Sequence, residues 1–173
     1  AASAARAADE VAAAWREAIS ERGAALIAVS GGETPWLMLE QLCGRDLPWV
    51  RLRIAQVDER ITPSGDPRRN LARLEQILVA DGPLPRANLL AMPVDDADPA
   101  RAAGDYQRLL ELHGGQPLQL DLVHLGLGSD GHTASLVPGD PALEVDDRDV
   151  AVTGEYQGLR RMTLTLPALG RAR

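Results

Sequence analysis

Residues 120–138 read LDLVHLGLGSDGHTASLVP, and this stretch decides the fold. Its first part, Leu120–Leu125, is a short apolar run of the length expected for a buried strand. Its second part, Gly126–Pro138, holds three glycines, one acid, one histidine and three hydroxyl residues before it turns apolar again. A strand that ends in a Gly-rich turn is a place to hold a ligand, because small residues let backbone N–H groups approach it. The spacing predicts a short helix over His132–Leu136, with Asp130 placed either to cap it or to support the imidazole.

The same strand–turn–helix pattern repeats on both sides. Residues 4–22 form an amphipathic helix, with Ala4, Ala8, Val11, Trp15, Ala18 and Ile19 on one stripe, Ser3 as cap and Gly23 as stop. Ala24–Val29 reads as a buried strand. Ser30–Pro35, SGGETP, follows it, and Thr34 is expected to cap a helix through Leu42 that ends at Gly44. Leu52–Val57 is a second strand leading into Asp58-Glu59-Arg60. Asp66-Pro67 opens a helix whose Leu71, Leu74, Ile77 and Leu78 face inward. Asn88–Met92 is a weaker strand, and Asp98-Pro99 starts a helix through His113. Val150–Val152 and Met162–Leu166 are further strand candidates. This alternation predicts one α/β domain over 1–173, doubly wound and Rossmann-like: a mostly parallel sheet with helices on both faces. In such sheets ligands sit outside the carboxyl ends of the strands. The loops SGGETP, DERITPSGD and GSDGHTAS are therefore expected on one rim.

Composition narrows the function. All 18 basic residues are arginine, so a phosphate or carboxylate must be held by Arg, backbone N–H or hydroxyls, and no lysine Schiff base can form. A net charge of −7 argues against broad nucleic-acid binding, and 3% aromatic residues leave few platforms for stacked bases. No apolar run has the length of a membrane span. The single cysteine, Cys43, excludes an intramolecular disulfide and fits a reducing, cytoplasmic setting. The histidines lack the spacing of a metal site, and Ser135 lacks the G-x-S-x-G frame of a serine hydrolase.

Each rim loop has a plain reading beside a functional one. SGGETP is either a tight turn with a hydroxyl cap or a wrap around an anion through Ser30, Gly31, Gly32 and Thr34. Asp58-Glu59-Arg60 is either a solvated charge cluster or a clamp, with Arg60 on a phosphate and Asp58 on a sugar hydroxyl. Asn70 can turn inward. His132 has the chemistry for proton transfer near neutrality, with Asp130 two residues away to orient it. His113 and His124 read as structural.

Taken together, SGGETP, VDER, GDPRRNLARL, LDLVHLGLGSDGHTASLVPGDPAL and RRMTLTLPALGRAR resemble the 6-phosphogluconolactonase family, in the fold group shared with glucosamine-6-phosphate deaminases. The motifs keep the family's order and span nearly the whole chain. The resemblance implies hydrolysis of 6-phosphoglucono-1,5-lactone in the oxidative pentose phosphate pathway, without metal or organic cofactor. It implies His132 as the proton-transfer residue and Asp130 as its partner. Ser30, Gly31, Gly32, Thr34, Asp58, Arg60 and Gly128 are expected around the substrate, and backbone N–H groups of Gly128–Gly131 around the oxyanion. A monomer or weak homo-oligomer is expected, with no nucleic-acid or membrane partner.

The sequence departs from the family at Glu33, where Ser or Arg is usual, and at Arg69, where Ser commonly precedes the Asn. The family also continues past PALGRAR with a strand and helix, so a C-terminal strand and helix, and an N-terminal strand, are expected to be missing from these 173 residues. Two other readings stay open. A sugar-phosphate isomerase or deaminase would carry DEY and DGHIAFNEP, which this chain does not. A sugar-phosphate sensor would bind without turnover.

Overall fold

The computed structural model describes residues 2–173. Its centre is a parallel sheet of four strands in the order β4-β2-β1-β5. These are β1 (Ala25–Val29), β2 (Leu52–Gln56), β4 (Leu89–Leu90) and β5 (Leu122–His124). Ala25 is paired with Leu52 and Ile27 with Leu122, so β1 is the spine. All five residues of β1 are buried, as a strand covered on both faces requires.

The alternation along β1 and β2 divides the core. Ala25, Ile27, Val29, Leu52 and Ile54 face a layer built from α1 (Ala2–Arg22), α2 (Glu33–Cys43) and α3 (Asn70–Glu75), the last extended by a π-helical turn over Gln76–Ala80. Trp15 is fully buried there and meets Trp49 edge-on, with ring centres 5.5 Å apart. Leu26, Ala28, Ala55 and Val57 face the opposite layer, which includes Tyr106 and Leu110 of α4 (Pro99–Gly114). The expected α/β architecture, with helices on both faces of a parallel sheet, is present.

The second layer also contains a three-stranded antiparallel sheet, which the alternation pattern did not predict. It has the order β3-β7-β6, from β3 (Asp58–Arg60), β7 (Arg161–Leu164) and β6 (Val150–Val152). A short helix, α5 (Leu166–Gly170), follows β7. One residue, Val57, separates β2 from β3. Its N–H bonds Val29 O in the parallel ladder and its carbonyl accepts from Leu164 N in the other sheet. The chain therefore crosses between sheets at Val57, and Asp58-Glu59-Arg60 becomes a strand rather than a loop.

Several helix starts differ from expectation. Ser3 lies inside α1 rather than at its cap. Gly32, at φ 127°, stands at the N-cap of α2 with no side-chain cap, so Thr34 falls in the first turn. Asp66-Pro67 forms a turn, with Asp66 bonded to Arg68, and α3 starts at Asn70 because Glu59 takes its first N–H groups. Asp98 does cap α4, accepting from Ala100 N and Arg101 N. Gly23, at φ 80°, does close α1, its N–H bonded to Ile19 O. No helix among the described residues is long and apolar enough to cross a membrane.

Candidate active site

Because β1, β2 and β5 run parallel, their carboxyl ends open on one edge, and the three rim loops meet there. Ser30 N bonds His124 O at 3.0 Å, joining the first and third loops at their roots. A cleft of about 180 Å³ lies between them, lined by Ser30, Gly31, Asp58, Arg60, Asn70, Gly126, Leu127, Gly128, His132 and Ala134.

The Gly126–Pro138 stretch holds His132 without the expected helix. Thr133 and Leu136 form an isolated antiparallel bridge and Ala134 takes φ 53°, which no helix residue does. The turn closes on itself instead: Gly128 N donates to His132 O at 2.8 Å, Gly131 N to Gly128 O at 3.0 Å, and Thr133 Oγ1 to Gly126 O at 2.9 Å. Two of the N–H groups expected at an oxyanion, those of Gly128 and Gly131, are thereby engaged inside the turn. Gly128 matters for another reason. A Cβ there would stand 2.4 Å from His132 Nδ1 and 2.8 Å from Asp130 Oδ1.

Asp130 is the partner of His132. Its Oδ1 lies 2.5 Å from Nδ1 of the ring and 3.2 Å from the His132 backbone N–H. The bond from the ring, followed by the backbone N–H, holds the Asp130 carboxyl below the usual carboxylate range. An ionised Asp130 on Nδ1 favours the tautomer with the proton on that nitrogen and leaves Nε2 as the base. Asp130 itself does not line the cleft; it acts from behind the ring.

The opposite wall is built around a carboxylate that the sequence reading passed over. Glu59 is fully buried. It accepts from Gln56 Nε2, Arg60 N, Asn70 N and Leu71 N, at 2.7–2.9 Å. This fixes the start of α3, and Asn70 does turn inward. Its Oδ1 accepts from Arg60 Nη1 at 2.5 Å and its Nδ2 donates to Asp58 O at 3.1 Å. Gly31 is required opposite it, since a Cβ there would lie 1.9 Å from Asn70 Oδ1. Asp58 receives the Ser135 hydroxyl at 2.6 Å. Ser30 Oγ is buried at the cleft with no protein partner. Gly32 and Thr34, expected at the substrate, are exposed and lie outside the cleft lining, because α2 starts at Glu33 and carries both away.

Arg161 is the second residue missed. The register of the antiparallel sheet sets Arg60 directly opposite Arg161, and Asp58 opposite Thr163. Like charges across a strand pair are unfavourable. Arg161 is buried, and burial first, then the nearby Arg60, pull its guanidinium below its ordinary value, with Asp58 and Tyr156 opposing in part. Arg60, Arg68, Gln157, Leu159 and Arg161 line a second hollow of about 260 Å³ that shares Arg60 with the first. The only sequence signal for Arg161 was its place in the RRMTLTLP motif.

His113 lines a separate hollow with Arg22, Arg53 and Asp121, and His124 sits in β5 beside the Ser30 root. Burial lowers both below the usual imidazole range. Among the described residues no three His, Cys, Asp or Glu side chains gather as a metal-binding group.

The family described as Glucosamine-6-phosphate isomerases/6-phosphogluconolactonase matches residues 1–173. The chain belongs to this family. Within it, the chain is 42% identical over 163 residues to a 6-phosphogluconolactonase of Synechocystis, covering 91% of this chain and 67% of that protein. It is 37% identical over 161 residues to one from Nostoc, covering 90% of this chain and 66% of that protein. The chain thus spans about two thirds of the length of these relatives. The structure is similar to that of 6-phosphogluconolactonase from Trypanosoma cruzi, with a TM-score of 0.87 and 26% identity, over 98% of this chain and 73% of that one.

Proposed function

We propose that this protein hydrolyses the ring ester of 6-phospho-D-glucono-1,5-lactone to 6-phosphogluconate, in the oxidative pentose phosphate pathway. The observation that carries the reading is an Asp130-supported His132 and Arg60 lining one cleft, with Arg161 set against Arg60 in the adjoining hollow. One wall has a base; the other has a place for a dianion. The relatives named above support the same chemistry.

The steps draw on protein groups and water. The phosphate sits against Arg60 and Arg161, whose mutual repulsion it relieves, and the Ser30 hydroxyl and Asp58 meet sugar oxygens. This orients C1 of the lactone towards His132. Nε2 takes a proton from water as the water oxygen bonds to C1, and the carbonyl electrons move onto its oxygen. Asp130 stabilises the imidazolium formed. As the carbonyl re-forms, the bond from C1 to the ring oxygen breaks and the Nε2 proton passes to that oxygen. The products are a carboxylic acid, which ionises in water, and a free 5-hydroxyl.

The test is lactone hydrolysis followed by proton release, corrected for the spontaneous reaction. His132→Ala is expected to lower kcat by about a hundredfold or more, the scale of a lost general base. Wild-type turnover that survives undiminished in His132→Ala would refute the assigned mechanism. Turnover of an amino-sugar phosphate, with none of the lactone, would refute the substrate.

A further inference from the structure

Tyr156 touches Asp130 and His132 on one side and Arg161 on the other. It opens a tight turn in which Tyr156 N bonds Leu159 O at 3.0 Å and Leu159 N bonds Tyr156 O at 3.2 Å. Gln157 and Gly158 take φ of 53° and 76°, the backbone of a two-residue hairpin that follows the strand twist. Below the turn, Thr153 N bonds Arg161 O at 2.8 Å. The turn is thus tied to β7, and the ring projects from a fixed base.

Three groups meet that ring. Its hydroxyl donates to Asp130 Oδ2 at 3.4 Å. Its edge packs on His132, ring centres 5.8 Å apart at 70°. The Arg161 guanidinium lies over its face, 4.9 Å from the centroid. Asp130 Oδ1 already holds His132 Nδ1, so its two oxygens answer to two different donors. Asp130 rides on an open Gly-rich turn, with more than a third of its side chain exposed. Both contacts from His132, the ring and the backbone N–H, fall on Oδ1, and a carboxylate held at one oxygen still swings about it unless the other oxygen is held, as Tyr156 holds Oδ2. If it rotates, the neutral imidazole loses the preference that leaves Nε2 unprotonated.

We propose that Tyr156 is a positioning residue for the reaction at His132. It holds Asp130 in the orientation that fixes the ring, and it shares its ring face with Arg161, so the anion-binding wall and the proton-transfer wall rest on one support. This rests on the lactonase reading above.

The test uses the full chain, with Tyr156→Phe and Tyr156→Ala, measured by steady-state lactone hydrolysis and by ¹⁵N spectra of the His132 imidazole. Tyr156→Phe removes one hydrogen bond, so kcat is expected to fall about three- to tenfold with KM within about twofold. Tyr156→Ala also removes the face under Arg161, so kcat falls further and KM rises about two- to fivefold. In both variants the share of neutral His132 protonated on Nε2 should rise. Unchanged kcat in both variants, or a fall in kcat with unchanged spectra, would overturn the proposal. Should the wild type show no lactone turnover, the lactonase reading fails, and the spectra still decide: a shifted tautomer balance supports the role of Tyr156 and an unshifted one overturns it.

Discussion

Replacing Glu59 by Gln should damage both the fold and substrate binding, and the cost can be worked from the hydrogen bonds. Oε1 accepts from Arg60 N and Asn70 N; Oε2 accepts from Leu71 N and Gln56 Nε2. A glutamine amide has one oxygen and one NH₂. Whichever way it turns, the NH₂ faces two N–H donors that it cannot satisfy. Each orphaned buried donor costs about 1–3 kcal/mol. Part of this returns, because burying an ionised carboxylate is itself costly. A net loss of about 2–4 kcal/mol follows, a large share of the ~5–15 kcal/mol by which a domain is stable. With a urea slope of about 2 kcal/mol/M, the unfolding midpoint should drop by about 1–2 M. The site should suffer in a specific way. Asn70 N and Leu71 N lose their anchor, Asn70 loosens, and Arg60 loses its fixed partner. KM for the lactone should therefore rise more than kcat falls. Asn70→Ala is the control, since it frees Arg60 while leaving all four donors to Glu59 in place, three backbone N–H groups and Gln56 Nε2, and should raise KM with a smaller midpoint shift. A Glu59→Gln protein within about 0.5 kcal/mol of wild type would refute the reasoning, because that is the range of an ordinary surface substitution.

Three further outcomes follow from named contacts. Gly31→Ala places a Cβ on the Asn70 amide, which must swing out and give up its bonds to Arg60 and Asp58 O; a loss of about 1–3 kcal/mol, read by thermal unfolding, should accompany a raised KM. Arg161→Met removes one of two facing like charges, so urea unfolding should show stability unchanged or slightly raised while KM rises about tenfold or more; a stability loss above about 1 kcal/mol with unchanged KM would mean that Arg161 is structural. Burial first, with Glu40 adding to it, pushes the Cys43 thiol up to about 11. A raised acid favours its neutral form in the native state, so the stability it contributes is lost as pH rises from the thiol's ordinary 9.0 through about 11. Native protein at pH 8 should alkylate far more slowly than unfolded protein, as measured by intact mass.

The parallel core was legible because its signals are local. Apolar runs at Ala24–Val29 and Leu52–Val57 give buried strands, and Gly23, Asp98 and Pro99 punctuate helices in the way backbone geometry demands. His132 and Asp130 were legible for the same reason, being two residues apart on one turn. What escaped was set by long-range pairing. Nothing within Asp58-Glu59-Arg60 says that it pairs with residues a hundred positions later, so it read as a loop and Glu59 as one more surface charge. Thr34 and Gly32 were misplaced for a smaller reason. The capping rules favour a hydroxyl before proline, but a glycine at φ 127° let α2 begin earlier and turned both residues outward. The helix expected over His132–Leu136 failed because its backbone groups pair elsewhere: His132 O accepts from Gly128 N, Ser135 N donates to Thr163 Oγ1 and Leu136 N to Thr133 O.

The crossing at Val57 explains why the site lies where two sheets meet. The parallel sheet delivers backbone: Ser30, Gly31 and the Gly126–Gly128 turn come from strand ends and offer little charge. The antiparallel sheet delivers charge: β3 brings Asp58 and Arg60, and β7 brings Arg161. In that register Arg60 and Arg161 oppose each other, an arrangement that costs stability and that the dianion of the proposed substrate would reverse. In the proposed reaction, binding energy drawn from relief of that repulsion would be concentrated at the phosphate, remote from the carbonyl that reacts. Such remote energy can be spent on orienting C1 against Nε2 rather than on holding the lactone tightly. A dephosphorylated lactone should therefore lose kcat as well as affinity, and in Arg161→Met the gap between the two substrates should narrow, because the wall that tells them apart has lost half its charge.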